Sequence, residues 1–134
     1  MSSIMISSTP EAVFGAIENI MAGLDGLEMP EEFFYDVKLI LSELFVNAMI
    51  HGNGQDPARK IAVDYLFCGE KLKLTITDEG EGFDHGRIYD PLAVGNVMKL
   101  SGRGLFLVKN LADRVEFNEK GNSVTVEKTL GQRI

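Results

Sequence analysis

Glu43, Asn47 and His51 stand at four-residue intervals in ELFVNAMIHGN (43–53), a stretch that is otherwise apolar and helical in pattern. Each four-residue step on an α-helix turns only about 40° around the axis, so the three side chains share one face. An acid, an amide and an imidazole in one line can be a plain polar stripe where the helix meets water. They can also do chemistry. Zinc needs three or four ligands of the nitrogen and sulfur kind, and the chain offers only His51, His85 and Cys68, at unrelated spacings. The amide oxygen of Asn47 instead suits a hard Mg²⁺ ion, which keeps several waters and takes its other ligands from substrate phosphates. A carboxylate one turn earlier, Glu43, is then placed to accept a proton from an attacking hydroxyl.

Two glycine-bearing stretches add to this. DEGEGF (78–83) follows a strand pattern. Alone it is an acidic turn, but alternating Gly80 and Gly82 let the backbone turn sharply and approach a flat ligand. An ionised Asp78 at the strand end is acceptor-only, and suits an exocyclic amine such as adenine N6. SGRGLFLVKN (101–110) is a Gly-rich loop entering a helix, where unpaired N–H groups and the helix dipole favour phosphate. Neither a Walker A motif nor a dinucleotide crossover unit accompanies it. Arg103 is a candidate phosphate contact, with solvent as its ordinary alternative.

These stretches need a scaffold. Residues 2–8 read as a first strand, and Ser8-Thr9-Pro10-Glu11 as a helix start in which Ser8 or Thr9 caps. Val13, Ile17, Ile20, Met21 and Leu24 mark one helical face. A second helix opens at Pro30 and runs on an apolar period until Gly52-Asn53-Gly54 stops it. Alternating strands follow at 61–67 and 72–76, with Gly69-Glu70 as the hairpin turn. Residues 84–101 have poor periodicity and read as a mobile loop with at most one helical turn. A helix follows, then strands at 115–118 and 123–129 around Gly121-Asn122. The order β-α-α-β-β-loop-α-β-β predicts an α+β fold, a two-layer sandwich with helices on one face of a mixed, mostly antiparallel sheet.

The 134 residues suit one domain, spanning 1–134, and a core of that size needs neither disulfide nor metal. The single cysteine, Cys68, excludes an internal disulfide and fits a reducing compartment. No signal-peptide pattern and no run of about 18 apolar residues is seen, which predicts a cytoplasmic protein. A net charge of −7 without a basic stripe argues against nucleic acid and anionic membranes as direct partners.

Taken together, the order and spacing of the three stretches resemble the ATPase superfamily of gyrases, chaperones, histidine kinases and MutL, with its Bergerat-type ATP-binding fold. Its N box corresponds to Glu43 and Asn47, its first glycine box to Asp78, Gly80 and Gly82, and its second to Gly102 and Gly104. Within it, the chain most resembles the anti-sigma-factor serine/threonine kinases of bacterial partner switching, over nearly its whole length. The resemblance implies ATP and Mg²⁺. Glu43 becomes the base, Asn47 the residue that helps hold the metal, and Asp78 the adenine reader. Gly80 and Gly82 let the chain pass the base, and Gly102 to Gly104 close on the phosphates. The implied partners are an antagonist protein phosphorylated on serine or threonine and a sigma factor.

Three functions compete. The first is the kinase, which Glu43 favours, since a pure binder needs no base. The second is a non-catalytic module in which ATP only shapes a surface that captures a partner. The third, a histidine-kinase catalytic domain, expects a phospho-acceptor helix that the sequence does not show. His51 and Asn53 match the family's helix end, with ligand contact and helix capping equally open. The resemblance also implies a homodimer, to which Ile4, Ile6, Val13 and Ile17 either contribute or, the preferred alternative, simply pack the core.

Overall fold

The computed structural model of the chain describes residues 2–25, 30–68, 70–80 and 100–129, and of 25 and 100–103 the backbone alone. β1 (Ser2–Ser7) leads into α1 (Pro10–Asp25), and α2 (Glu31–Val46) continues into a π-helical turn, Asn47–Gly52. β2 (Lys60–Cys68), β3 (Lys71–Asp78), α3 (Leu100–Leu111), β4 (Arg114–Phe117) and β5 (Ser123–Thr129) complete the order. At the start of α1 the cap is Thr9, whose hydroxyl accepts from the Ala12 N–H at 3.2 Å. Ser8 is free for another task, described below.

The five strands lie in the order β1-β2-β3-β5-β4, and every described pairing is antiparallel. Among the described residues no parallel pair occurs, although β3 and β4 point the same way. The chain crosses from β3 through α3 to β4, and β5 returns by a tight turn into the gap between them. Gly121 makes that turn with φ of +86°, a left-handed conformation that glycine adopts without a Cβ penalty.

One face of the sheet is apolar and carries the helices. Phe33, Ile40, Leu41, Leu44 and Phe45 of α2 pack with Ile20 of α1, Val108 of α3 and Ile61, Leu72, Leu74 and Ile76 of the sheet, all fully buried. Val13 and Ile17 of α1 belong to this core, and Ile4 and Ile6 of β1 pack against its edge. The other face is polar, with hydroxyl pairs Thr75–Thr125 and Thr77–Ser123 across β3 and β5. This alternation is what a sheet with one wet face dictates, and it produces the two-layer α+β architecture.

Lys128 is the exception on the apolar side. Its stem is buried, its ammonium donates to the Leu111 carbonyl at 2.6 Å at the end of α3, and Asp36 of α2 lies 3.5 Å away. The ammonium so placed ties α3, α2 and β5 together. Among the described residues, no helix is long and apolar enough to cross a membrane.

Candidate functional site

The C-terminal end of α2 does not close as an ordinary helix. From Asn47 the hydrogen bonding widens, and the Asn53 N–H reaches back to the Ala48 carbonyl at 2.8 Å, five residues earlier. The extra residue in the turn changes the phase of the helix after Asn47, and Asn47 and His51 nevertheless meet at one cavity. Ala48 and Met49 stay buried while Asn47 and His51 face a cavity. Gly54 and Gln55 then take φ of +62° and +56° and end the segment.

That cavity, about 230 Å³, opens between the π-turn, the end of β3, α3 and the β4–β5 hairpin. Leu44, Ile76, Leu105 and Val124 form an apolar floor, and Asn47, His51, Asp78, Asn122 and Ser123 supply polar groups at its rim. Sites that enclose a whole drug-sized ligand run to about 300–1,000 Å³. This one is smaller and open, so it holds one part of a ligand and leaves the rest outside.

Asp78 is the best-defined group in it. Its Oδ1 accepts the Gly80 N–H at 2.8 Å. Half-burial pushes its pKa up, opposed by that N–H bond and by the positive charges of Lys120 and Arg59. Two glycines make the placement possible. A Cβ on Gly52 would lie 2.7 Å from Asp78 Oδ1 and closer still to Oδ2, and a Cβ on Gly80 would run into the Gly52 backbone carbonyl. Gly52, Asp78 and Gly80 therefore occupy one crowded corner that no side chain other than the carboxylate can enter.

Asn53 braces that corner from behind. It is buried, donates to Ser8 Oγ at 2.7 Å and to the Lys60 carbonyl at 2.9 Å, and accepts the Glu79 N–H at 2.8 Å. It is a structural brace and has no share in the cavity lining. His51 does line the cavity and is exposed there.

Glu43 lies outside the cavity lining and is half-buried one turn back along α2. Gly104 of α3 passes directly over it, and a Cβ on Gly104 would strike the Glu43 carboxylate, with its Cδ 3.4 Å away. The first and second glycine stretches thus do different things: Gly80 lets the chain pass the Gly52 carbonyl beside Asp78, and Gly104 makes room for Glu43. Gly102 falls in the first turn of α3, the side chain of Arg103 is outside the described residues, and so are Gly82 and most of the 84–101 loop. Gly52 reads from sequence only as a helix stop, and Asn122, Phe117 and Ser123 line the cavity without a site signal of their own. The turn signal at Gly121-Asn122 was the one pointer to them.

A carboxylate at the rim of an apolar slot, an amide beside it and an acid under a glycine of the next helix make a recognisable combination. The model of the histidine kinase-like ATPase domain matches residues 6–128. The chain belongs to that family. An anti-sigma F factor of Oceanobacillus iheyensis is 31% identical over 102 residues, covering 72% of this chain and 70% of that protein. A serine-protein kinase RsbW of Listeria monocytogenes is 30% identical over 121 residues, covering 82% and 77%. The RsbW serine-protein kinase of Bacillus subtilis is 28% identical over 107 residues, covering 74% and 67%. The match spans the three described α-helices, the π-turn and the sheet except the first residues of β1 and the last of β5, so the resemblance drawn from the three stretches extends to the scaffold that carries them.

Proposed function

We propose that this protein is an ATP-dependent serine/threonine protein kinase that acts as an anti-sigma factor, phosphorylating an antagonist protein and binding a sigma factor. The observation that carries this reading is the corner made by Gly52, Asp78 and Gly80. A half-buried carboxylate held at the mouth of an apolar slot matches the adenine base, whose face is apolar and whose N6 amine donates. The family match and the relatives' names support the same assignment.

In this reading the base enters the slot beside Ile76 and Val124, and Asp78 accepts from N6. The triphosphate then lies toward Asn47 and the start of α3, whose unpaired N–H groups favour anionic oxygens. Asn47, with an amide oxygen at the rim, fits a hard cation, and Gly102, Arg103 and Gly104 stand on the phosphate side. Mg²⁺, when bound there, neutralises phosphate charge. The serine or threonine hydroxyl of the antagonist attacks the γ-phosphorus, its proton passes to Glu43, and ADP leaves. Phosphorylation of the antagonist releases this protein to hold its sigma factor. The assembly is a homodimer; its surface cannot be Val13 and Ile17, which the core occupies, whereas Met5 and Phe14 are about two-thirds exposed.

A second reading has one observation in its favour. Glu43 lies beside the cavity and under Gly104 rather than in its lining, as suits a module that binds ATP and captures a partner without transferring phosphate. Incubating host lysate with γ-labelled Mg-ATP and either the wild type or Glu43→Gln separates the two. An acid-stable label on a small protein, absent with the variant, is expected. A protein that binds ATP yet gives no Glu43-dependent label would overturn the kinase in favour of the binding module.

A further inference from the structure

At the end of β3 the sheet ladder stops and side chains take over its last hydrogen bonds. Thr77 pairs with Ser123 in the regular register, which makes Asp78 and Asn122 the next pair. One half of that rung is ordinary: the Asp78 N–H donates to the Asn122 carbonyl at 2.9 Å. The other half is not. The Asn122 backbone N–H turns away to Asn118 Oδ1 at 3.0 Å, and the Asp78 carbonyl is taken instead by the side-chain amide of Asn122, Nδ2 at 3.0 Å.

The direction of that amide is fixed by its neighbour. Asn118 Oδ1 accepts the N–H groups of Gly121, Asn122 and Ser123 at 2.8, 3.0 and 3.1 Å, so its own Nδ2 must face the other way. There it donates to Asn122 Oδ1 at 2.7 Å. Oδ1 of Asn122 is thereby engaged, and its NH₂ is left facing the Asp78 carbonyl. The Asp78 peptide plane in turn sets where Glu79 and Gly80 go, and the Gly80 N–H is the group that holds the Asp78 carboxylate. Asn122 also lines the cavity.

We propose that Asn122, oriented by Asn118, is a positioning residue for base recognition: it aims the Asp78 carboxylate at the C6 amine of the purine. This rests on the nucleotide-binding reading above. Asn118 and Asn122 belong to the β4–β5 hairpin, so base selectivity is set partly by a turn about forty residues from the aspartate in sequence. Removing the amide leaves the apolar slot in place and loosens only the carboxylate, so selectivity changes more than binding as a whole.

The test compares ATP with purine riboside triphosphate, which lacks any group at C6, by titration calorimetry on the full chain. Wild type is expected to prefer ATP, and Asn122→Ala to lose about 3- to 10-fold of that preference, the worth of one oriented hydrogen bond. Affinity for the analogue should fall by less than affinity for ATP, since the part of the amide's effect that acts through the carboxylate is felt only by a nucleotide with a C6 amine. Asn118→Asp keeps the acceptor for the three backbone N–H groups and loses the donor that orients Asn122. It is expected to lower the same ratio, and is read alone if Asn122→Ala does not fold. Equal loss for both nucleotides, or no change in the ratio, overturns the positioning role. If Asp78→Asn abolishes the preference for ATP while Asn122→Ala leaves it intact, only this inference fails. A wild type with no preference for ATP overturns the nucleotide reading, and this inference with it.

Discussion

Adding one methyl group at Gly52 or at Gly80 should separate stability from recognition, because the atoms nearest the two methyl groups differ, a carboxylate at one and a backbone carbonyl at the other. On Gly52 the new Cβ meets the Asp78 carboxylate, at 2.7 Å from Oδ1 and nearer to Oδ2. Ordinary contact begins near 3.4 Å, so the carboxylate must move by about an ångström. It is the free end of a side chain at the rim of an open cavity and can rotate. The fold should therefore lose no more than about 1 kcal/mol, the low end for overpacking. In the proposed nucleotide site, rotation takes the acceptor off the adenine amine, and a hydrogen bond to a charged group is worth about 1.5–3 kcal/mol, or roughly 10- to 100-fold in affinity. On Gly80 the Cβ meets the Gly52 carbonyl first, with its carbon at 2.6 Å, and Asp78 Oδ1 only at 2.9 Å. That first contact is backbone against backbone, and neither can rotate away. Gly80→Ala should cost about 1–3 kcal/mol and lower the Tm by about 3–5 °C for each. Thermal unfolding without nucleotide and titration with Mg-ATP measure the two quantities. Equal loss of stability in both variants, or a Gly52→Ala protein that binds ATP as wild type does, would refute the close-approach account of this corner.

Two further outcomes follow from the same corner. Asn53→Ala removes three hydrogen bonds and leaves the Ser8 hydroxyl, the Lys60 carbonyl and the Glu79 N–H without their partner; chemical denaturation should show a loss of about 2–4 kcal/mol. The raised pKa of Asp78 predicts a pH signature. An acid whose pKa is higher in the folded state contributes stability that is full below the ordinary aspartate range and is lost as pH rises through the raised value. Asp78→Asn keeps an oxygen for the Gly80 N–H and has no charge to desolvate, so at neutral pH its nucleotide-free Tm should equal or exceed that of wild type, with the gap closing in acid. The affinity of wild type for ATP should fall over the same window as Asp78 takes up its proton.

Much of this was legible in side-chain pattern. The amphipathic period of α1 and α2, the alternation of β2 and β3 and the Gly121 turn are local signals, and the elements form where those signals stand. Asp78 was legible as well, because an acid between a strand and alternating glycines has few structural uses. What the pattern could not carry is tertiary or lies in the backbone. Gly52 reads as a helix stop, yet its lack of a side chain matters because Asp78 arrives 26 residues later in sequence. Asn53 reads as a helix end, while its amide joins β1's end, β2 and the turn after β3. The π-turn leaves no mark on apolar spacing, and it shifts the helical phase only after Asn47. The insertion of β5 between β3 and β4 is likewise invisible when strands are read in sequence order.

The most direct test of the account is Mg-ATP binding to the wild type and to Asp78→Asn, measured by calorimetry beside the thermal unfolding of each. The account predicts measurable binding by the wild type, a loss of about 10-fold or more in the variant, and a variant at least as stable without nucleotide. Equal affinity in the two proteins would contradict it, because the crowded corner of Gly52, Asp78 and Gly80 would then have no part in holding the base.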